Sequence, residues 1–203
     1  GLVRINAELV ELDGMILANG GNGSTTWSGA GSGGGVKVVA GDLTGTGSIH
    51  ANGGNGAGNS GGGGGGRVAV YYDRVEGFDF ARLTAVGGTG RASGGPGTIY
   101  TQQAGALATV VIQGDGRETP LPPALTDENL ILDGATVSAI DLNVSSLTLI
   151  NNAVLTHPGA DTENEHRLEI QVEDLVIDIS SRIDLSTRGY LGGRGGSEHR
   201  GRT

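Results

Sequence analysis

Cysteine is absent from the 203 residues, so neither a disulfide framework nor thiolate chemistry is available. Lysine occurs once, as Lys37, and tryptophan once, as Trp27. Aromatic residues make up only 3% of the chain, too few for a core built on large rings. No apolar run reaches the 18 or more residues of a membrane-crossing helix, so no membrane span is expected. Positive charge is scarce as well. The net charge of −9 and a pI near 4.8 argue against nucleic acid or an anionic membrane surface as partner. A strict Gly-X-Y period is missing, which excludes collagen.

What the chain has is glycine, 41 residues of it. That is roughly three times the usual share of about 7%. The glycines follow a phrase. Ala18-Asn19-Gly20-Gly21-Asn22-Gly23 returns 33 residues later as Ala51-Asn52-Gly53-Gly54-Asn55-Gly56, and 34 residues after that as Ala85-Val86-Gly87-Gly88-Thr89-Gly90. Between these arms lie short β-branched runs such as Val36-Lys37-Val38-Val39 and Val68-Ala69-Val70. A fixed period in the thirties predicts stacked repeats.

The copies align Ile16 with Ile49 and Leu83, and two residues on, Ala18 with Ala51 and Ala85. Positions two apart share one face of a strand, so these six are expected to form an inward core column. One match per repeat is the mark of parallel stacking; a hairpin ladder would alternate strand direction. The second half repeats the strand phrase without glycine arms. Leu147 to Leu155 lies over Leu9 to Leu17 residue for residue, with a further copy at Leu130 to Val137 and a later turn at Leu175 to Ile179. The basic coil is thus about 18 to 20 residues, lengthened in the first half by glycine-rich excursions, as solenoids allow. No segment has the period of a long amphipathic helix. The fold expected is all-β: a parallel β-solenoid, read as a right-handed β-helix. Its organisation is expected as glycine-rich coils over 1–104, a connector or irregular coil over 105–128 that carries Pro120, Pro122 and Pro123, and further coils over 129–203 that end in a new glycine arm.

Ordering a glycine costs more backbone entropy than ordering any other residue. Arms leaving successive coils at one point would lie about 4.8 Å apart and could pack backbone to backbone, in extended polyproline-II-like form. Asn19 over Asn52 and Asn22 over Asn55 would then stack as ladders.

Motifs of chemistry are sparse. Gly45-Thr46-Gly47 leads into a strand rather than a helix, so the phosphate-binding reading fails. The calcium β-roll nonapeptide is met in its first four positions at Gly20, Gly53 and Gly87, but Thr25, Gly58 and Ala92 stand where its aspartate belongs. Asp161, Glu163 and Glu165 remain weak calcium candidates, with Asp73, Glu76 and Asp79 as more distant ones; a solvated acidic loop is the preferred reading, because a charge run alone is a poor ligand signal. No other cofactor is expected. A polysaccharide-degrading β-helix would need carboxylates clustered across coils, and Asp178 with Asp184 or Glu169 with Glu173 have ordinary outward spacing. His50, His157, His166 and His199 share no ligand spacing. Trp27, Tyr71 and Tyr72 are the candidate carbohydrate contacts, since amphipathic rings serve binding surfaces. Thr44, Thr46, Thr136 and Thr148 do not recur in register, which disfavours an ice-binding face. No catalytic residue is expected.

At Ala51 to Gly56, at Gly61 to Asp73, at Leu147 to Thr156 and at Gly189 to Gly193, the chain resembles the glycine-rich repeat regions of very large bacterial surface and secreted proteins. That resemblance implies a parallel β-helix of adhesin-stalk type, an extracellular or cell-surface location, and a segment of a longer polypeptide. The function so implied is structural or adhesive: a rigid stalk or self-associating filament subunit. Its partners would be copies of itself or the rest of a longer chain, end to end, and possible carbohydrate. A polysaccharide-binding or polysaccharide-degrading β-helix and a viral fibre or tail-spike segment are the alternatives.

Overall fold

The computed structural model describes residues 1–114, 117–121, 125, 127–160 and 164–189. One eight-stranded sheet runs the length of the molecule. In spatial order it contains β1 (Leu2–Glu11), β3 (Gly35–Thr44), β5 (Arg67–Glu76), β7 (Gly97–Gln103), β8 (Thr109–Gln113), β10 (Asn129–Asp133), β13 (Ser146–Ile150) and β16 (Asp174–Ile177). Each coil of the first half returns through a three-stranded sheet of β2 (Met15–Leu17), β4 (Ser48–His50) and β6 (Leu83–Thr84). The second half returns through β9 (Thr119–Pro120), β11 (Thr136–Ser138), β14 (Val154–Thr156) and β17 (Arg182–Ile183), with β12 (Asp141–Asn143) pairing β15 (Glu169–Gln171) on a third side. The architecture is a parallel β-solenoid.

Register follows the inward apolar positions. Ile16 pairs with Ile49 and Ile49 with Leu83, while Ala51 and Ala85 are fully buried and Ala18 nearly so. Ile16, at the end of the stack, is packed on one side only and is half-buried. In the second half the columns are leucine: Leu130 over Leu147 and Leu132 over Leu149, all at 0% exposure.

One pairing breaks the parallel pattern. β7 and β8 run antiparallel, joined by a tight connection in which Gly105 holds a φ of 75°, a conformation that favours glycine. Directly opposed residues of an antiparallel pair lie on the same sheet face. Tyr100 opposes Val110, and Ile99 opposes Val111. Ile99 belongs to the first core and Val110 to the second. The chain therefore changes direction and changes the face that carries its core at the same step.

That coupling has a physical reason. Reversing strand direction while stacking onward inverts the hand of a coil. Moving the core to the opposite face inverts it again. The two halves thus wind with the same hand, as the strong chiral preference of parallel crossovers demands. The reversal lies at the start of the 105–128 segment, which contributes β8 and β9 to the second solenoid.

Corners of the second half are held by a polar ladder. Asn151 Nδ2 donates to Asp133 Oδ1 at 2.7 Å, and the Asn151 N–H donates to Asp178 Oδ2 at 2.9 Å. Asn151 and Asn152 take φ values of 58° and 67° at the turn where the coil above has Gly134 at 68°. Asparagine tolerates that region better than other side-chain-bearing residues.

Candidate functional site

A hydrogen-bonded glycine layer lies beside the first solenoid. Each arm has an outgoing limb and a returning limb: 18–24 and 28–34, then 51–57 and 60–66, then 85–90 and 92–97. Along the outgoing limbs, Gly20 and Gly23 donate to the carbonyls of Asn52 and Asn55, and Gly53 and Gly56 to those of Val86 and Thr89. Along the returning limbs, Ala30 and Gly33 donate to Gly61 and Gly64, and Gly62 and Gly65 to Ala92 and Gly95. Every such series steps by three residues, the repeat of a polyproline-II helix.

A third series ties the two rows together. Gly31 donates to Gly21, Gly54 to Gly31, Gly63 to Gly54, Gly88 to Gly63 and Gly94 to Gly88, at 2.8 to 2.9 Å. The rows are close enough that a Cβ on Gly63 or Gly20 would land on the Gly31 carbonyl, and one on Gly88 on that of Gly54. Glycine is required there by contact. Pro96 takes the position that Gly65 holds one coil earlier, where the N–H would donate to a further limb. In the last arm the missing donor costs nothing.

The asparagines form a ladder of a different kind from stacked amides. Asn19 Oδ1 accepts from the backbone N–H of Asn52 at 2.8 Å, and Asn52 Oδ1 from that of Val86 at 3.0 Å. Asn22 Oδ1 accepts from Asn55 N–H at 2.7 Å, and Asn55 Oδ1 from Thr89 N–H at 2.9 Å. Each side chain thus closes the outer donor of the limb above.

The aromatic candidates part company. Trp27 is 78% exposed at the tip of the first arm. Tyr71 lies on the outward sheet face, with Lys37 Nζ 4.9 Å from its ring centroid and Tyr100 5.3 Å away. These neighbours occupy ring surface that a sugar would need. Tyr72 is turned inward instead: it packs on the first core, 5.2 Å from the Phe80 ring, because it continues the Val68–Val70 face of β5. Its ring is therefore only partly exposed.

Charged candidates are engaged locally. Asp178 accepts from the backbone N–H groups of Asn151, Ser180 and Ser181, and the bonds from Asn151 and Ser181 above all hold its carboxyl far below the usual range. Asp184 is lowered chiefly by its bonds to Ser186, then by Arg182. Glu169 meets Arg167 and Gln171, while Glu173 is exposed. His50 Nδ1 lies 2.6 Å from Thr84 Oγ1. His157 is buried, with Nδ1 2.6 Å from the Pro158 carbonyl, so that nitrogen is the donor. His166 is half-buried; His199 lies outside the described residues, as do Asp161 and Glu163. Glu165 is exposed. Among the described residues no three histidine, aspartate or glutamate side chains gather in a group that could hold a metal.

Two features have no sequence motif. Arg74 makes a two-pronged ion pair with Asp42 on the next strand, with Nε to Oδ1 at 2.6 Å and Nη2 to Oδ2 at 2.9 Å. Each partner favours the other's charged form, by hydrogen bond first: the Asp42 carboxyl is lowered and the Arg74 guanidinium raised. Strand register alone brings them together, and a 32-residue separation could suggest it only once the repeat was aligned. A shallow cleft beside this pair, lined by Leu9, Thr44, Glu76 and Gln103, is open to solvent. Compared with protein-family models, with curated proteins and with solved structures, the chain matches none.

Proposed function

We propose that the chain is a rigid structural segment, a stalk or filament unit of an extracellular bacterial surface protein, rather than an enzyme. The observation that carries this reading is the single sheet that passes unbroken through both solenoids, from β1 to β16. Stacked coils on such a sheet bury one column per half and add length at constant cross-section. The glycine layer stiffens the side of the first solenoid, replacing mobile loops by hydrogen-bonded rows. The acidic net charge suits a solvated exterior. Asp42, Asp178 and Asp184 are occupied in holding turns and strand pairs, which favours a mechanical role over a catalytic one.

Contacts at the ends of the stack complete the proposal. Leu2, Leu9, Met15 and Leu17 at one end, and Leu175 and Ile177 at the other, are 40% to 67% exposed. Apolar strand edges of this kind seek a neighbour.

Immunolabelling of intact source cells, together with light scattering of the purified chain, tests the reading. Surface labelling and concentration-dependent end-to-end association are expected. Labelling confined to permeabilised cells, or release of sugars from polysaccharides incubated with the chain, overturns it.

A further inference from the structure

The two rows of the glycine layer differ in how their outer sides are closed. On the outgoing row, the outward N–H groups of Asn52, Asn55, Val86 and Thr89 are taken by asparagine side chains of the preceding arm. On the returning row the equivalent donors are Gly29 and Ser32, Gly61 and Gly64, and Ala92 and Gly95. None of these donates to an acceptor among the described residues. The carbonyls of Ala30, Gly33, Gly62 and Gly65 likewise receive no donor there. The result is a lattice of open donors and acceptors, repeating every three residues along a limb and once per limb across the row.

Glycine also stands on this side where the fold does not need it. A Cβ on Gly29, Gly61 or Gly64 would meet nothing nearer than 3.6 Å, and one on Gly95 nothing within 4 Å. A bare residue that its own chain could replace gives conformational entropy to the unfolded state for no internal return. The matching outward positions of the other row all carry side chains: Asn19, Asn22, Asn52, Asn55, Val86 and Thr89. On the outgoing side the outward N–H groups of the second and third arms are capped and every outward position carries a side chain; on the returning side the donors are open and four of the six outward positions are glycine, the others being the small Ser32 and Ala92.

We propose that the returning-limb side of the glycine layer is a docking surface for a second copy of this chain, set face to face through the same rows. An occupant must offer N–H and C=O groups at a three-residue period and bring no side chain larger than alanine or serine between the limbs. Within the described residues, the segment that offers both and is not already paired is this surface itself. A two-fold axis lying in the plane of the interface turns the two surfaces toward each other and lets each copy's donors meet the other's acceptors, as an isologous contact requires. The patch measures about 20 Å along the limbs at ~3.1 Å per residue and about 14 Å across three limbs, roughly 300 Å² per copy. That is well below the ~800 Å² per partner of a stable complex, so the association is a weak lateral one. It does not rest on the end-to-end contacts proposed above, which use the coil edges.

The chain has no cysteine, so single thiols report cleanly. Ser32→Cys, on the open side, is expected to form disulfide dimers under mild oxidation roughly tenfold faster than Ser24→Cys, because docking raises the effective concentration of the paired thiols. Adding Gly64→Leu to Ser32→Cys is expected to return the rate to that of Ser24→Cys with an unchanged unfolding midpoint. If Gly64→Leu shifts that midpoint, Gly95→Leu replaces it. Equal rates for the two cysteine variants, or a Ser32→Cys rate indifferent to the leucine, overturn the proposal. End-to-end association measured by light scattering is unaffected by Gly64→Leu, so the two readings fail separately.

Discussion

Gly63 and Gly64 are neighbours in a run of six glycines, and the structure predicts opposite outcomes for the same substitution at each. Gly63 is buried between the rows. It donates to the Gly54 carbonyl at 2.9 Å and accepts from the Gly88 N–H at 2.8 Å. An alanine methyl at 63 falls on the Gly31 carbonyl, which itself accepts from Gly54. Relieving that overlap means moving one limb and giving up these three bonds. At about 0.5–1.5 kcal/mol each, the loss is about 1.5–4.5 kcal/mol. Restricting the unfolded chain recovers about 0.4–1 kcal/mol, so Gly63→Ala is expected to destabilise by about 0.5–4 kcal/mol. At Gly64 the methyl meets nothing nearer than 3.8 Å. Only the unfolded-state term remains, and Gly64→Ala is expected to stabilise by about 0.4–1 kcal/mol. Urea unfolding followed by circular dichroism measures both variants, and hydrogen exchange of the Gly54, Gly63 and Gly88 amides reads the layer directly. Two variants that agree within about 0.5 kcal/mol, or amides that exchange at free-chain rates, would refute the packed layer.

The second-half core predicts a contrast between adjacent residues too. Leu149→Ala, at a side chain with 0% exposure, should cost about 2–5 kcal/mol, whereas Thr148→Ala on the outward face should stay within about 0.5 kcal/mol; urea midpoints decide. Acid provides a further test. The Asp178 carboxyl is held below its ordinary value by the Asn151 and Ser181 bonds before all others. Its stabilising contribution is therefore full above the unfolded value of about 3.9 and is lost as pH falls below it. Asp178→Asn should flatten the fall of the urea midpoint between about pH 5 and pH 2, and an acid limb identical to that of the unsubstituted chain would count against the turn as described.

Much of this molecule is legible in its residues because a solenoid is nearly one-dimensional. Equivalent positions meet one coil away, so aligning the copies at Ile16, Ile49 and Leu83 is enough to place the inward column, and the Asn-Gly-Gly-Asn spacing is enough to place the ladder. The partner of each asparagine is less legible: the side-chain oxygen meets a backbone N–H, not another amide, and a backbone donor leaves no mark on the sequence. The reversal between β7 and β8 is hidden for a related reason. Ile99, Val110 and Ile112 alternate as any strand residues do, and only the pairing of Tyr100 with Val110 shows that the core has crossed the sheet. The Arg74–Asp42 pair likewise follows from register.

The sequence by itself determined the repeat, the strand faces and the positions of the glycine arms, since these rest on periodicity and on side chains that are either apolar or absent. Tertiary structure alone decided which glycines are needed. Residues 61 to 66 are six identical letters, yet Gly63 has a carbonyl where its Cβ would be and Gly64 has open space. That difference comes from the second row lying against one side of a three-fold helix, a contact made across coils and invisible within the run.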